Sequence, residues 1–490
     1  LMPYVVYEHN DDPKIPLNSF NCPVVSGYSD VIKSVIDLKK PIDSPVINFA
    51  QSKALEKQIV DYLKKLGVDR KTARKALREA LYAQTAYSAE IKTKAWEILN
   101  QNEEKPRLTI LLAGRPYHTD PLVQHKLSEM IANLGVNVIS EDIARGSSDN
   151  NDAYNSQPET YLVKQWAYMN RIMKAAQWAA EQGDNVHFVQ MTSFGCGPDS
   201  FIQDEIRDIM KRHNKPFTLL KIDDVCNIGS LKLRVRSLIE SLKVKSNHKV
   251  QSSKFKVQSL KQTKVFTKQD VHRKILAPFM TEYLTPIIPP ILKLIGYDVE
   301  VLPMSDEASA EIGLRFANNE VCYPATLIVG DIIKALKSGK YDLKNTAVVM
   351  SQTGGQCRAT NYAGLIKRAM ISNGFQDVPL LTLGVTASTG EASGSTDDKQ
   401  DYNEQDGFNV PWLKYSQIIV TAIFYGDAIN EMYNACIARE RKQGIAKELR
   451  DKYIRLIDEP IARNSAKGLI KLLEQAAEEF NQMTLDKDVP

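Results

Sequence analysis

The segment Arg107-Leu108-Thr109-Ile110-Leu111-Leu112-Ala113 is the strongest constraint on the fold of this chain. A nearly unbroken apolar run is what a strand covered on both faces requires. It empties into Gly114-Arg115-Pro116-Tyr117-His118-Thr119-Asp120-Pro121 and then a helix expected over 123–134. Around it, strand patterns at 4–8, 45–49, 137–139, 186–190 and 216–222 alternate with helical ones at 30–38, within 53–100, at 159–182, up to 213 and at 231–242. The second half repeats the alternation. A helix segmented by Pro286, Pro289 and Pro290 is expected at 278–296, strands at 298–302, 345–352 and 378–383, and helices at 322–336 and 361–373. A Gly/Ser/Asp-rich stretch at 388–405 reads as a mobile loop, and 412–485 reads as nearly all helix with a break at Pro460. The expected class is α/β: two Rossmann-like domains with mainly parallel sheets and a helical C-terminal region.

At 490 residues the chain exceeds one ordinary core. The division expected is a first α/β domain over 1–242, a linker over 243–268 and a second α/β domain over 269–490 with a helical extension. The linker holds eight lysines and no carboxylate. It reads as solvated chain, or as a basic arm for an acidic partner. Much of the net charge of +4 lies there, so no nucleic-acid partner is inferred. Apolar runs near either end are too short for a membrane span, and no signal peptide is recognisable, which makes a cytoplasmic location the expectation.

Six widely spaced cysteines without a C-x-x-C pair do not form a disulfide framework. Cys226 and Cys436 have no Gly or Pro within two residues and read as small buried hydrophobes. The other four differ. Cys22 (Asn21-Cys22-Pro23), Cys196 (Gly195-Cys196-Gly197-Pro198), Cys322 (Asn319-Glu320-Val321-Cys322-Tyr323-Pro324) and Cys357 (Gly354-Gly355-Gln356-Cys357-Arg358) all lie at element boundaries. In an open α/β sheet that is where ligands bind, and a thiolate is favoured where a helix starts. Four thiolates also suit zinc, yet structural zinc uses closely spaced ligand pairs; dispersed ligands fit an iron-sulfur cluster better. A cysteine nucleophile would need a base. His118 is the best-placed histidine, either in an anion or substrate site with Arg115 or as a cap in a tight turn. Glu320 beside Cys322 and Arg358 beside Cys357 could tune a cluster, hold an anionic substrate or be ordinary boundary charges. Gly114-Arg115-Pro116 lacks phosphate-loop spacing, so no ATP site is read.

Leu112 to His118, Phe194 to Phe201, Glu320 to Ala325 and Gln352 to Arg358, in this order, resemble the acyl-CoA dehydratase activase-related proteins, relatives of the 2-hydroxyacyl-CoA dehydratases and of double-cubane cluster proteins. The resemblance implies an iron-sulfur protein, carrying a 4Fe-4S or double-cubane cluster, that receives low-potential electrons from an ATP-hydrolysing activator, separate or fused upstream. By position, Cys22 with Cys196 and Cys322 with Cys357 would each ligate a cubane, or all four would share one double-cubane cluster. The implied second shell is Arg115, His118, Glu320 and Arg358. The family also places a Cys-Tyr-Pro motif upstream of the first cysteine, so the first domain is expected to be N-terminally truncated.

The expected function is therefore reduction or dehydration of a small substrate, with acyl-CoA suggested by kinship alone. Two other classes stay open: a non-catalytic electron-transfer or scaffold module that docks the activator, and a metal-free α/β enzyme with a cysteine nucleophile. The reading places the site where the two domains meet, and admits a homodimer.

Overall fold

The computed structural model describes residues 1–9, 19–37, 39–100, 107–145, 159–193, 195–223, 227–247, 259–384 and 407–485. The loop read at 388–405 and Cys226 lie outside the described residues, as do 248–258 of the Lys-rich stretch. The chain divides into two compact units. The first comprises Leu1–Lys261 and Thr353–Gly364, the second Gln262–Gln352, Leu365–Gly384 and the C-terminal region, with 385–406 outside the description.

In the first unit, β1 (Tyr4–Tyr7) leads to the one-turn α1 (Pro23–Ser26), α2 (Tyr28–Val35) and β2 (Val46–Asn48), which pairs with β1 in parallel. Two helices follow, α3 (Ser52–Lys65) and α4 (Arg70–Asn100), separated at Gly67, whose φ of 84° suits glycine. Then come β3 (Thr109–Ala113), α5 (Leu127–Asn133), β4 (Asn137–Ser140), α6 (Ala167–Glu181), β5 (Val186–Thr192), α7 (Gly197–Arg212), β6 (Thr218–Lys221) and α8 (Ile228–Asn247). The sheet order is β4-β3-β5-β6, all parallel. The apolar run at 107–113 is thus a central strand, and every residue of β3 and β5 is buried. The order reverses between β3 and β5, which opens a crevice beyond their carboxyl ends.

The second unit carries β7 (Lys274–Ala277), α9 (Ile288–Ile295), β8 (Val299–Val301), α10 (Glu307–Gly313), α11 (Tyr323–Lys337), β9 (Thr346–Gln352), α12 (Tyr362–Ser372, beginning in the first unit) and β10 (Leu380–Gly384). Its sheet is also parallel, in the order β10-β9-β7-β8. A helical region follows: α13 (Trp412–Ile437), α14 (Ile445–Arg455), α15 (Asp458–Ala462) and α16 (Ala466–Asn481). Its core is formed by Ile418, Tyr425, Ile429, Tyr453, Ile461 and Leu469. The class is α/β with parallel sheets and a helical C-terminal region, as the alternation indicates.

Several local expectations are corrected. The strand β7 is missing from the sequence reading, because three apolar residues flanked by Arg273 and Pro278 give no period. The helix read at 123–134 starts only at Leu127, since His125 and Lys126 adopt φ of 51° and 56°. Pro460 does not break a helix but sits in the first turns of α15, where a missing N–H costs little. Most telling, the helix read at 159–182 begins only at Ala167; the preceding residues are irregular, for reasons given below. Of the Lys-rich stretch, 243–247 completes α8, Val265 bridges to Leu380 and Phe266 is fully buried.

Candidate functional site

Each of the four boundary cysteines is a helix N-cap: Cys22 of α1, Cys196 of α7, Cys322 of α11 and Cys357 of the single 3-10 turn Arg358–Asn361. The reason is local. Pro23, Pro198 and Pro324 occupy first-turn positions, where a fixed φ is pre-set for the helix. Gly195, Gly354 and Gly355 supply φ of 68°, 72° and 62° just before two of the thiols. No cysteine side chain makes a capping hydrogen bond, and all four are reduced.

Cys22, Cys196 and Cys357 belong to the first unit and Cys322 to the second. Within the first unit, the three thiol-bearing segments converge on the irregular stretch 161–166, which explains why that stretch is not helix. The Val163 N–H donates to Asn361 Oδ1 at 2.7 Å, Gln165 Nε2 to the Cys357 carbonyl at 2.8 Å and Trp166 Nε1 to the Gln356 carbonyl at 3.2 Å. Phe20, two residues before Cys22, donates to the Gln165 carbonyl and accepts from the Ala167 N–H. On α7, Phe201 lies edge-on to Trp166 and stacks on Tyr362. A direct tie joins two of the loops, for Gln356 Nε2 donates to the Asn21 carbonyl at 2.7 Å and to Ser26 Oγ at 2.9 Å.

The turn after β3 faces the turn after β5 across the crevice. Arg115, 4% exposed, donates from Nη2 to Cys196 Sγ at 2.6 Å, and its Nε lies 3.5 Å from Asp199 Oδ1. Asp199 is fully buried and accepts from Thr192 Oγ1 at 2.9 Å. Burial works against the Arg115 charge, but Asp199, Cys196, Tyr117 and Cys22 together hold its pKa above the ordinary arginine value. Burial, helped by Asp199 and opposed by Arg115, pushes the Cys196 thiol up to about 12. His118 is fully buried and accepts the Arg115 N–H at Nδ1, 3.1 Å away, which puts its proton on Nε2, 3.3 Å from Ser193 Oγ. Burial drives its pKa down to about 4, Arg115 pushing the same way and Asp199 against, so the ring is neutral. It closes the turn. Arg358 is exposed and reaches over Gly197: a Cβ on Gly197 would lie 2.9 Å from Cζ and 3.0 Å from Cδ of Arg358. In the second unit, the Glu320 N–H donates to Asn318 Oδ1 at 3.1 Å in the turn leading to Cys322.

This arrangement is poorly suited to a cysteine nucleophile at Cys196, because its thiol is raised rather than lowered and the nearest histidine faces Ser193 and a backbone N–H. Its donor chemistry fits a soft, thiolate-held group, and a bound cationic centre would draw off the thiol protons. Among the described residues no three Cys, His, Asp or Glu side chains come together closely enough to hold a single metal ion. A cluster distributes its thiolates around a larger core. Around the thiol loops, Asn21 Oδ1 and Gln165 Oε1 are buried and have no hydrogen-bond partner among the described residues, whereas Arg115 Nε and Asp199 Oδ1, also without a hydrogen bond, face each other as an ion pair. Cys436, by contrast, is buried in an apolar cluster, as read.

Sequence reasoning passed over Gln165, Trp166, Gln356 and Asp199. Asp199 had a signal, an acid in the first turn after Cys-Gly-Pro; the others are defined by contacts between distant segments. Among the described residues no helix is long and apolar enough to cross a membrane. No curated protein and no solved structure matches the chain. Residues 1–144 match the family model described as the CoA enzyme activase uncharacterised domain. On that match the first 144 of the 490 residues are similar to a CoA enzyme activase domain.

Proposed function

We propose that this chain is an iron-sulfur protein that accepts low-potential electrons from an ATP-hydrolysing activator and uses them to reduce or dehydrate a small substrate, a CoA thioester by class. The observation that carries the reading is that Cys22, Cys196 and Cys357, thiols remote in sequence, sit at helix starts within one unit whose N-terminal part matches the model of a CoA enzyme activase domain. A bound cluster would supply one-electron chemistry. The chain's own residues do the rest. Cys22, Cys196 and Cys357 are the proposed ligands in the first unit, and Cys322 is a proposed ligand carried by the second. Arg115 and Arg358 place positive charge beside Cys196 and so favour its thiolate. Neutral His118 fixes the turn that presents Arg115, and Glu320 lies in the turn that presents Cys322.

Anaerobic reconstitution with iron and sulfide, followed by absorbance and EPR, is expected to give a cluster that is lost in Cys22→Ala, Cys196→Ala, Cys322→Ala and Cys357→Ala. A colourless protein that still undergoes activator-dependent reduction would overturn the reading.

A further inference from the structure

The Cys22 and Cys357 loops are remote in the chain, yet one side chain spans them. Gln356 precedes Cys357, and its amide crosses 335 residues of sequence to donate to the Asn21 carbonyl at 2.7 Å, while its Nε2 also reaches Ser26 Oγ at 2.9 Å. Both acceptors flank Cys22. Ser26 is itself fixed, donating to the Val5 carbonyl of β1 at 2.9 Å and to the Cys22 carbonyl at 3.3 Å. At the other end, the Gln356 carbonyl accepts from Trp166 Nε1, and Gln165 Nε2 holds the Cys357 carbonyl. Trp166 and Gln165 are buried. A side chain anchored at both ends transmits position rather than merely filling space. The left-handed pair Gly354-Gly355 leaves the loop backbone with no side chains of its own to hold it.

We propose that Gln356 is a positioning residue that sets the spacing of the Cys22 and Cys357 loops, so that these two thiols form a preset pair in the protein before any cluster is assembled. The proposal takes from the iron-sulfur reading only the use to which the pair is put. Losing both amide bonds should let the loops separate, and cross-linking of the pair should fall about tenfold.

The test uses the full chain without metal, under anaerobic conditions, treated with a short bismaleimide, and the Cys22–Cys357 cross-linked peptide is quantified by mass spectrometry. Labelling of each thiol by a monofunctional maleimide is measured in parallel. The wild type should cross-link, and Gln356→Ala should lose about tenfold in cross-linking rate with single-site labelling unchanged. No cross-link in the wild type, an undiminished rate in Gln356→Ala, or a parallel rise in both single-site rates, which would mean that the region had simply opened, would each overturn the proposal. Should Gln356→Ala fail to fold, Ser26→Ala leaves the Gln356–Asn21 bond but removes the second acceptor of Gln356 together with the Ser26 bonds to the Val5 and Cys22 carbonyls, and should lower the rate about threefold; a wild-type rate there counts against the clamp. A chain that binds no iron but cross-links in a Gln356-dependent way keeps the positioning role and removes the cluster reading. A chain with a cluster and no such dependence does the reverse.

Discussion

Gly197→Ala should stabilise the protein and disturb the site at once, an unusual pairing of signs. Gly197 is the first residue of α7, and its φ is not in the left-handed region. The helix-interior preference for alanine over glycine, about 0.5–1 kcal/mol, is an upper limit at Gly197, which is the first helical position and precedes Pro198. The new Cβ would meet only the far end of a flexible side chain, with Arg358 Cζ at 2.9 Å and Cδ at 3.0 Å. Arg358 is exposed and has no hydrogen bond or ion pair among the described residues, so moving it costs little. Net stability is therefore expected to be unchanged or higher by up to about 1 kcal/mol, read by urea unfolding. The guanidinium, however, must leave the neighbourhood of Cys196. At an effective dielectric of about 20, carrying a unit charge from about 7 Å to about 10 Å away from a negative charge weakens the interaction by about 0.7 kcal/mol, which is the scale expected if a cluster is bound at Cys196. For a one-electron couple that lowers the midpoint potential by about 30 mV. Arg358→Met should shift the potential in the same direction, and because both substitutions remove the same charge, Gly197→Ala in the Arg358→Met background should add nothing. Additive shifts, or destabilisation by more than about 1 kcal/mol, would refute the assignment of Arg358 to the space over Gly197.

Two further predictions concern the scaffold. Glu141, at the end of β4, is buried, and burial, with Asp142 adding, pushes its carboxyl up to about 7 from an ordinary 4.5. A raised folded-state pKa means that stability is full below about pH 4.5 and declines as pH rises through about 7; Glu141→Gln should thus match the wild type at pH 4.5 and exceed it by up to about 3 kcal/mol at pH 8. Thermal melts at the two pH values check this, and a pH-independent difference would count against a buried, protonatable Glu141. In the second unit, a Cβ on Gly330 of α11 would lie 2.7 Å from the Ser309 carbonyl carbon of α10, and one on Gly313 would lie 2.8 Å from that of Thr326. Since backbone cannot step aside as Arg358 can, Gly330→Ala should destabilise by about 3 kcal/mol or more in urea unfolding, and a variant as stable as the wild type would show that the two helices do not approach so closely.

The contrast between Gly197 and Gly330 bears on what could be read from the sequence. Both are helical glycines without a left-handed φ; the sequence shows that Gly197 opens a helix before Pro198 and that Gly330 lies within one, but only the neighbour each meets decides what an added Cβ would cost. The central strand β3 was legible because its apolar run is long enough to demand cover on both faces. The strand β7 was not, because its place at the centre of a sheet is conferred by pairing with β8 and β9 rather than by its own pattern. The four cysteines were legible as boundary residues because Pro and Gly mark the start of the elements they cap. What joins three of them was not. The stretch at 161–166 has the composition of a helix start, and its irregular form depends on Asn361 and Phe20, residues that local periodicity cannot connect to it.

The shared N-cap position also separates the cysteines into two kinds. A capping Ser or Asp would turn its oxygen back onto the first free N–H groups of the helix. None of these cysteines does so, and the donors at the helix start are left to favour negative charge on the sulfur or on what it binds. That effect needs a helix of some length. Cys196 and Cys322 cap helices of 16 and 15 residues, and the 3-10 turn capped by Cys357 runs directly into α12. Cys22 alone caps a short turn of four residues that stops at Gly27, so it gains least from a helix dipole, and it is Cys22 that Gln356 ties to the Cys357 loop. Charge stabilisation at Cys196 comes from α7 and Arg115, while at Cys22 the structure supplies fixed spacing instead. Substitutions that remove charge should act mainly through Cys196, and those that remove hydrogen bonds mainly through Cys22.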